Sequence, residues 1–553
     1  MMFDLAGLEP VRAWLSPSAL EDLNHHAAVS AVASLAATRT GVVAVEAIMR
    51  APVTDAALIR RRQAHIAGVE AQATHTKDVR AALRELARLE ESARWCCRDR
   101  EALEADEADA LKRPYYGLTL LNSSWQLLWL GNVYAAYVAP LLAIATPLMY
   151  ILAPYFIIRV RLRVRIDIVS YLHLLYHSFM SAGEVMRFAV GRTATAATQA
   201  LSAACSVAVY AQTVLATLKH AAGVRETCQR IASRYEDASA FCERATDLLR
   251  GAGGRWTTPA FFADWIGEAP DVRRIPRATG GAAVNPWNTG FAECLQHYAA
   301  LDGRRLRDAL LAVGCVDAVV AFSDAKRKHE LAVVALAGPG LVLSGCWGFT
   351  EAAGAAVPND VVLLTRGKRA RAMLVTGPNA SGKTTLMRTV AGCALLAQTL
   401  GLCPARAAAV RPLAYICTMM CIRDDPDAGT SRFQAELMRA GACMDRAAAQ
   451  PRAPGLVLMD EIFGGSTDSE GGEVCASRLL GVLLRQPGCA FALATHSAAI
   501  ALAASRMGGV RMFRSAPGRP YAIEPGLRET AHSNSRALMD EVLRKAPATP
   551  QAP

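Results

Sequence analysis

The chain has 553 residues, 52% of them hydrophobic and 20% charged, a balance that excludes a disordered polypeptide and leaves room for two to four domains with sizeable cores. Its net charge of +11 and pI near 9.0 suit contact with phosphates or anionic lipid without choosing between them. Fifteen cysteines lie scattered with no CxxC pair, which points away from a disulfide framework or a zinc site and toward a reducing, intracellular compartment.

The N-terminus, MMFDLAGLEPVRAWL, lacks the basic start, apolar run and cleavage site of a secretory leader. To about residue 113 the pattern is rich in Ala, Leu, Arg and Glu at helical spacing. TKDVRAALRELARLEESARW, for example, puts leucines and alanines on one stripe and charges opposite. From Pro114 to Ile158 there are 45 residues without a charge, and a second uncharged run, rich in Ala, Thr and Ser, covers Thr193 to Leu218. Within the first, residues 132–158 exceed the roughly 20 apolar residues that cross a bilayer. Pro140, Pro147 and Pro154 are tolerated in such a span, and Arg159, Arg161, Arg163 and Arg165 follow as an interfacial anchor. Two readings stay open for residues 114–218. They enter a membrane, the second run returning as a small-residue helix, or they form a buried hairpin whose arginines make an amphipathic strand or a phosphate-facing edge. His173 and His177, four apart, read as packing or interfacial residues rather than metal ligands. Helical periodicity returns from Glu236 to Ala325, interrupted by GAGGRWTTP and PDVRRIPRATGGAAVNPWNTG. Beyond that, short β-branched runs alternate with helical stretches, the signature of an α/β domain with a largely parallel sheet, and KAPATPQAP ends the chain as a disordered tail.

Within this last region MLVTGPNASGKTT, residues 373–385, fits the phosphate-loop pattern G-x-x-x-x-G-K-[ST]. An apolar strand runs into it and a helix-forming segment follows, so the backbone N–H groups of Gly377, Pro378 excepted, through Asn379, Ala380, Ser381, Gly382, Lys383, Thr384 and Thr385 are placed to cradle phosphates at a helix N-terminus. Lys383 would neutralise the β- and γ-phosphates of ATP and the Thr384 hydroxyl would hold Mg²⁺. Seventy-seven residues after Lys383, the strand GLVLMD ends in Asp460, followed by Glu461. The first carboxylate is placed for Mg²⁺ and the second for polarising the attacking water. The next strand, CAFALATH, ends in Thr495 and His496, and the histidine there is within reach of a γ-phosphate. Cys417 and Cys421 read as core.

GPNASGKTT, DDPDAGTSRFQAELMRA, DEIFGGSTDSEGG and ATHS, in this order, resemble the MutS family. The resemblance covers about 200 residues. Ser431, Phe433 and Glu436 match that family's S-T-F-x-x-E loop, with Arg432 in place of the threonine. The family's serine contacts the γ-phosphate held by the partner subunit, so Ser431 implies a composite site in a homodimer. Residues 464–467, GGST, resemble a loop at the same dimer interface. VPND, residues 357–360, resembles the stretch lining the adenine pocket and carries over Val357 and Asn359. Ala356 and Val357, however, replace the bulky apolar or aromatic group usual there. Upstream, residues 45–69 resemble the start of the family's helical core, with Arg62 and Gln63 matching its Arg-Gln pair, and residues 310–325 resemble the end of its lever helix.

The resemblance implies an α/β P-loop ATPase domain of the ABC superfamily at 336–545, preceded by an all-α core and lever at 41–335 with the apolar insert at 114–158 and 193–218. An N-terminal helical segment, 1–40, and a tail, 546–553, complete the division. About 40 residues before the core leave no room for the family's mismatch-reading domain. The tripeptide Phe241-Cys242-Glu243 has that domain's spacing but lies in a helical segment elsewhere. The implied function is an ATPase related to DNA mismatch repair, hydrolysing ATP with Mg²⁺ as a dimer and touching DNA through its phosphates, in the cytoplasm or another DNA compartment. The alternative is a membrane-associated ABC-type ATPase without a DNA function, against which stand the missing LSGGQ-like signature and the Ser431 loop.

Overall fold

A computed structural model describes residues 22–97 except Asn24, 124–177 except Tyr176, 196–251, 258–267, 270, 303–349, 356–365, 371–420, 422, 432–463 and 469–526. Ser431, Cys421, the 464–467 loop, residues 114–123 and 193–195 of the insert, the first 21 residues and the 546–553 tail lie outside them. Two compact units are present: one within Met1–Arg88, Arg244–Arg274 and Asp308–Pro553, the other within Leu89–Glu243 and Ile275–Arg307.

The first unit holds two sheets. In one, β4 (Ala372–Thr376), β7 (Tyr415–Met419), β8 (Gly455–Asp460), β9 (Cys489–Thr495) and β10 (Val510–Ser515) run parallel in the order β10-β4-β9-β8-β7, with β11 (Ile523–Pro525) antiparallel on the edge beside β10. Every residue of β4, β7 and β9 is buried, as expected of parallel strands covered on both faces. The period-2 alternation decides which side chain goes where. Met373 and Val375 face the helix Lys383–Thr399, whereas Ala372 and Leu374 pack with the helices Arg432–Ala449, Ser469–Arg485 and Ala498–Ser505. The helix Lys383–Thr399 is itself apolar almost all round, because it lies between this sheet and a second one. That second sheet has five strands in the order β3-β2-β6-β1-β5: β1 (Ala332–Ala335), β2 (Gly340–Cys346), β3 (Asn359–Leu364), β5 (Leu402–Cys403) and β6 (Ala407–Val410).

Helices of the same unit are fixed to these sheets by buried polar groups. The fully buried Asp317, on the helix Gly303–Lys328, accepts from Thr38 N–H and Thr38 Oγ1, both at 2.7 Å, and from Ala37 N–H at 3.1 Å. Its charge thus sits at the positive N-terminus of the helix Arg39–Met49. Arg62, 1% exposed on the helix Ala56–Ala71, donates through Nε to the Asp264 carbonyl and through Nη1 to the Thr399 carbonyl, each at 2.8 Å. Gln63 beside it donates to the carbonyls of Val334 and Gly401.

In the second unit an apolar rod runs from Trp125 through a π-helical turn, Tyr134–Val138, into the helix Ala139–Phe156 and a second π turn, Ile157–Arg161. Pro140 lacks an N–H and its ring would strike the carbonyl four residues back, so the wider turn just before it keeps the helix continuous. Pro147 and Pro154 are also carried inside the helix. The 56-residue helix Ala196–Gly251 lies against this rod, with Tyr210 Oη donating to the carbonyls of Ala143 and Ile144. The rod is only partly buried. Leu141, Leu142, Ile144, Leu148 and Met149 on one helix, and Val207, Val209 and Leu215 on the other, are exposed.

Candidate active site

The loop Gly377–Gly382 joins β4 to the helix Lys383–Thr399, as the sequence pattern requires. Two glycines allow its path. Gly382 has φ +94°, a left-handed backbone that favours glycine, and a Cβ there would come within 2.6 Å of the Tyr521 ring. At Gly377 a Cβ would meet Ser515 Oγ at 2.5 Å and Ser381 Oγ at 2.8 Å. Pro378 is buried, Asn379 and Ala380 are exposed, and Ser381, Thr384 and Thr385 are half-buried. Ala380 is also left-handed, with φ +60°.

Lys383 is buried, and its Nζ donates to the carbonyls of Gly377, 2.9 Å, and Pro378, 3.0 Å. The same Nζ lies 3.5 Å from Glu461 Oε1. Thr384 Oγ1 donates to Asp460 Oδ2 at 2.5 Å. Parallel pairing brings this about: β4 and β8 both pair with β9, so their C-terminal ends arrive at the same edge of the sheet as the loop. His496, just past the end of β9, puts Nδ1 3.3 Å from Glu461 Oε1. Glu461 itself has φ +49°, a strained backbone for a side chain of its size, while its N–H still donates to the Ala494 carbonyl at 2.9 Å. Lys383, Thr384, Asp460, Glu461 and His496 therefore form one cluster.

Burial pushes the Asp460 carboxyl above the usual carboxylate range; the Thr384 hydroxyl pulls it back, Glu461 pushes it further up, and Lys383 pulls it down. Asp460 Oδ1 and Ser381 Oγ are buried with no hydrogen-bond partner among the described residues. A desolvated carboxylate oxygen left open beside a hydroxyl fits a small divalent cation that takes one or two protein oxygens and draws its other ligands from phosphate and water. The residues present therefore suit Mg²⁺, which Thr384 and Asp460 would hold.

Asn359, buried at the start of β3, is linked to the loop through Tyr521. Its Nδ2 donates to the Tyr521 carbonyl at 2.9 Å and to the Val357 carbonyl at 3.2 Å, and its Oδ1 accepts from Ile523 N–H at 2.9 Å. Tyr521 N–H donates to the Ser381 carbonyl at 3.2 Å. Tyr521 was not singled out by the sequence, where its only signal is the turn-forming APGRPY before it. Phe433 packs edge-on against Phe463, ring centroids 6.0 Å apart, and Glu436 is buried with Oε1 accepting from Arg432 Nε at 3.0 Å.

The MutS domain V family matches residues 373–516, the span that carries this cluster. The DNA mismatch repair protein MutS of Anaeromyxobacter dehalogenans strain 2CP-1 is 31% identical over 216 residues, covering 37% of this chain and 24% of that protein. The protein of the same name from strain 2CP-C is 31% identical over the same shares. The chain thus matches about a quarter of the length of these curated relatives, and the family match at 373–516 spans the loop, the acidic strand end and the histidine. Over residues 373–516 the chain is thus similar to domain V of the MutS family.

Proposed function

We propose that this protein hydrolyses ATP with Mg²⁺ at the Gly377–Thr385 loop, as a homodimer whose sites are completed by Ser431 of the neighbouring copy, and that hydrolysis is coupled to contact with DNA phosphates. The single observation that carries the reading is the convergence of Lys383, Thr384, Asp460, Glu461 and His496 at one end of β4, β8 and β9. In this arrangement Lys383 rests on two loop carbonyls and on Glu461. A γ-phosphate competes for the ammonium and frees the Glu461 carboxylate to accept a proton from water as that water attacks the γ-phosphorus. The bond to the bridging oxygen breaks and ADP and phosphate leave. Mg²⁺ supplies charge neutralisation on the phosphates. His496 steadies the carboxylate and donates toward the γ-phosphate, and Asn359 and Val357 border the nucleoside. The likeness to proteins named for DNA mismatch repair supports the DNA partner.

Lys383→Ala is expected to abolish ATP binding or turnover, and Glu461→Gln to bind ATP at near wild-type affinity while losing at least about a hundredfold in turnover. Equilibrium ATP binding together with phosphate release checks both. Wild-type turnover in Glu461→Gln removes the role given to that carboxylate.

A second reading, an ATPase held at a lipid surface, is favoured by the exposed apolar rod. The stretch Trp125–Met149 is 25 residues long and contains an 18-residue window of mean hydropathy 1.7, a third of which is buried.

A further inference from the structure

We propose that Asp22 is a positioning residue for the neighbouring copy's site: its carboxylate joins β7 to the helix Arg432–Ala449 and so fixes, at both ends, the segment that closes with Ser431; this rests on the composite-dimer reading above. Asp22 is 5% exposed. Its Oδ2 accepts from Thr418 Oγ1 of β7 at 2.8 Å and from Arg439 Nη1, on the helix, at 2.9 Å. The same Arg439 nitrogen donates to the Met420 carbonyl, just past the end of β7, at 3.2 Å. Ser431 is the residue before the helix, and Arg439 stands about two turns into it. One carboxylate thus ties the strand before the Ser431 segment to the helix after it. Holding both ends of a segment removes conformational freedom from the residues between them.

Attachment of the N-terminal segment does not require this pair. Leu23, the next residue, is buried in the core that the helix Lys383–Thr399 shares with both sheets. Apolar contact of that kind desolvates no charge, whereas a buried ion pair is often no more stabilising than apolar side chains of the same volume. Burial pushes the Asp22 carboxyl above the usual carboxylate range, against the pull of the Thr418 hydroxyl and of Arg439. What the two directed bonds to a carboxylate contribute is a fixed geometry. The backbone of the same residue serves its own chain's site. The Asp22 carbonyl accepts from Arg388 Nε at 3.0 Å, and Arg388, five residues after Lys383, pulls the Asp460 carboxyl down. Asp22 therefore touches the phosphate-loop helix through its main chain and the Ser431 side through its side chain, and a side-chain substitution separates the two.

The test mixes two full-length variants. A Lys383→Ala chain holds no ATP but supplies Ser431, and a Ser431→Ala chain holds ATP but supplies no serine, so turnover in the mixture comes from one composite site. Asp22→Ala added to the Lys383→Ala chain is expected to cut that turnover at least about tenfold, since a small misplacement of a positioning group is that costly. Added to the Ser431→Ala chain, it should leave turnover unchanged. In an otherwise wild-type chain, Asp22→Ala should keep wild-type ATP affinity at equilibrium while turnover falls. Asp22→Asn, which keeps an oxygen for the Thr418 hydroxyl, should show the same asymmetry in smaller degree. Arg439→Met should behave as Asp22→Ala does, and the two together should lose no more than the worse of them. Equal losses from both placements of Asp22→Ala, no loss from either, or weakened ATP binding by the Asp22→Ala chain overturns the assignment while leaving the composite site standing. A parent mixture without turnover removes the composite dimer itself, and the role of Asp22 with it.

Discussion

His25 stands on the helix His25–Ala33 with its Nε2–H donating to the Met49 carbonyl at 3.0 Å, and burial pulls its pKa below the usual 6.5; the Met49 bond opposes the drop and Arg50 adds to it. His65 and His329 are also lowered by burial, His65 with Asp264 opposing and Arg61 and Arg62 reinforcing, His329 with Lys328 reinforcing. A histidine whose folded pKa is depressed binds its proton less readily when folded. Below pH 6.5 the unfolded chain takes up protons that the folded chain refuses, so stability is full above 6.5 and falls as pH drops toward the folded pKa. The thermal midpoint is therefore expected to decline between pH 7 and pH 5. His25→Gln, which keeps an N–H donor for Met49 and cannot titrate, should show a smaller decline. Parallel pH profiles for the two proteins would rule out His25 as a contributor.

At the level of elements, the β4-loop-helix passage was legible in the sequence because everything it needs is local: an apolar run, the glycines, the lysine and a helical segment lie within one stretch of chain. Asp460 and Glu461 were legible for the same reason, each at a strand end that its own apolar run announces. What was not legible depends on partners far away in sequence. Arg62 and Gln63 could be recognised as a pair, but not that Arg62 reaches Thr399, 337 residues on, at the C-terminal end of the helix that begins with Lys383. The left-handed backbone of Glu461 and the turn that carries Tyr521 to Gly382 have no local signature either. The apolar insert was legible as helix and ambiguous as to surroundings, since composition cannot tell a lipid face from a buried one. The structure leaves Leu141, Leu148 and Val160 exposed by 67%, 57% and 70%, next to exposed Arg159, Arg161, Arg163 and Arg165. A surface of this kind is larger than single scattered apolar residues account for, and alternating arginines with aliphatic side chains match the boundary between acyl chains and anionic headgroups. The full chain is expected to float with anionic phospholipid vesicles, and the combination Leu141→Asn, Ile144→Asn and Leu148→Asn should cut the bound fraction severalfold without altering ATP affinity. A wild-type chain that stays monodisperse without detergent and does not float assigns the rod to a protein partner instead.

For the whole molecule, the question is what a net charge of +11 does when the site is loaded. Cationic side chains on a folded surface release counterions from a nucleic acid whatever its sequence, so affinity carried by them falls steeply as salt rises. Reading a mispair needs more: a ring or edge that reaches the bases. The tripeptide Phe241-Cys242-Glu243, which has mismatch-reader spacing, lies in the helix Ala196–Gly251 with Phe241 fully buried and Cys242 also in the core, so that ring has no face to offer a base. Phosphate contact without that wedge predicts a duplex affinity that drops at least about tenfold between 50 and 200 mM salt and differs little between paired and mispaired DNA at any one salt concentration. Titration of matched and single-mismatch duplexes at several salt concentrations separates the two contributions, because counterion release sets the slope and base reading sets the offset between the lines. An offset of tenfold or more in favour of the mispair would mean that another part of the chain reads bases, and a flat salt dependence would mean that the excess positive charge serves the lipid surface rather than a nucleic acid.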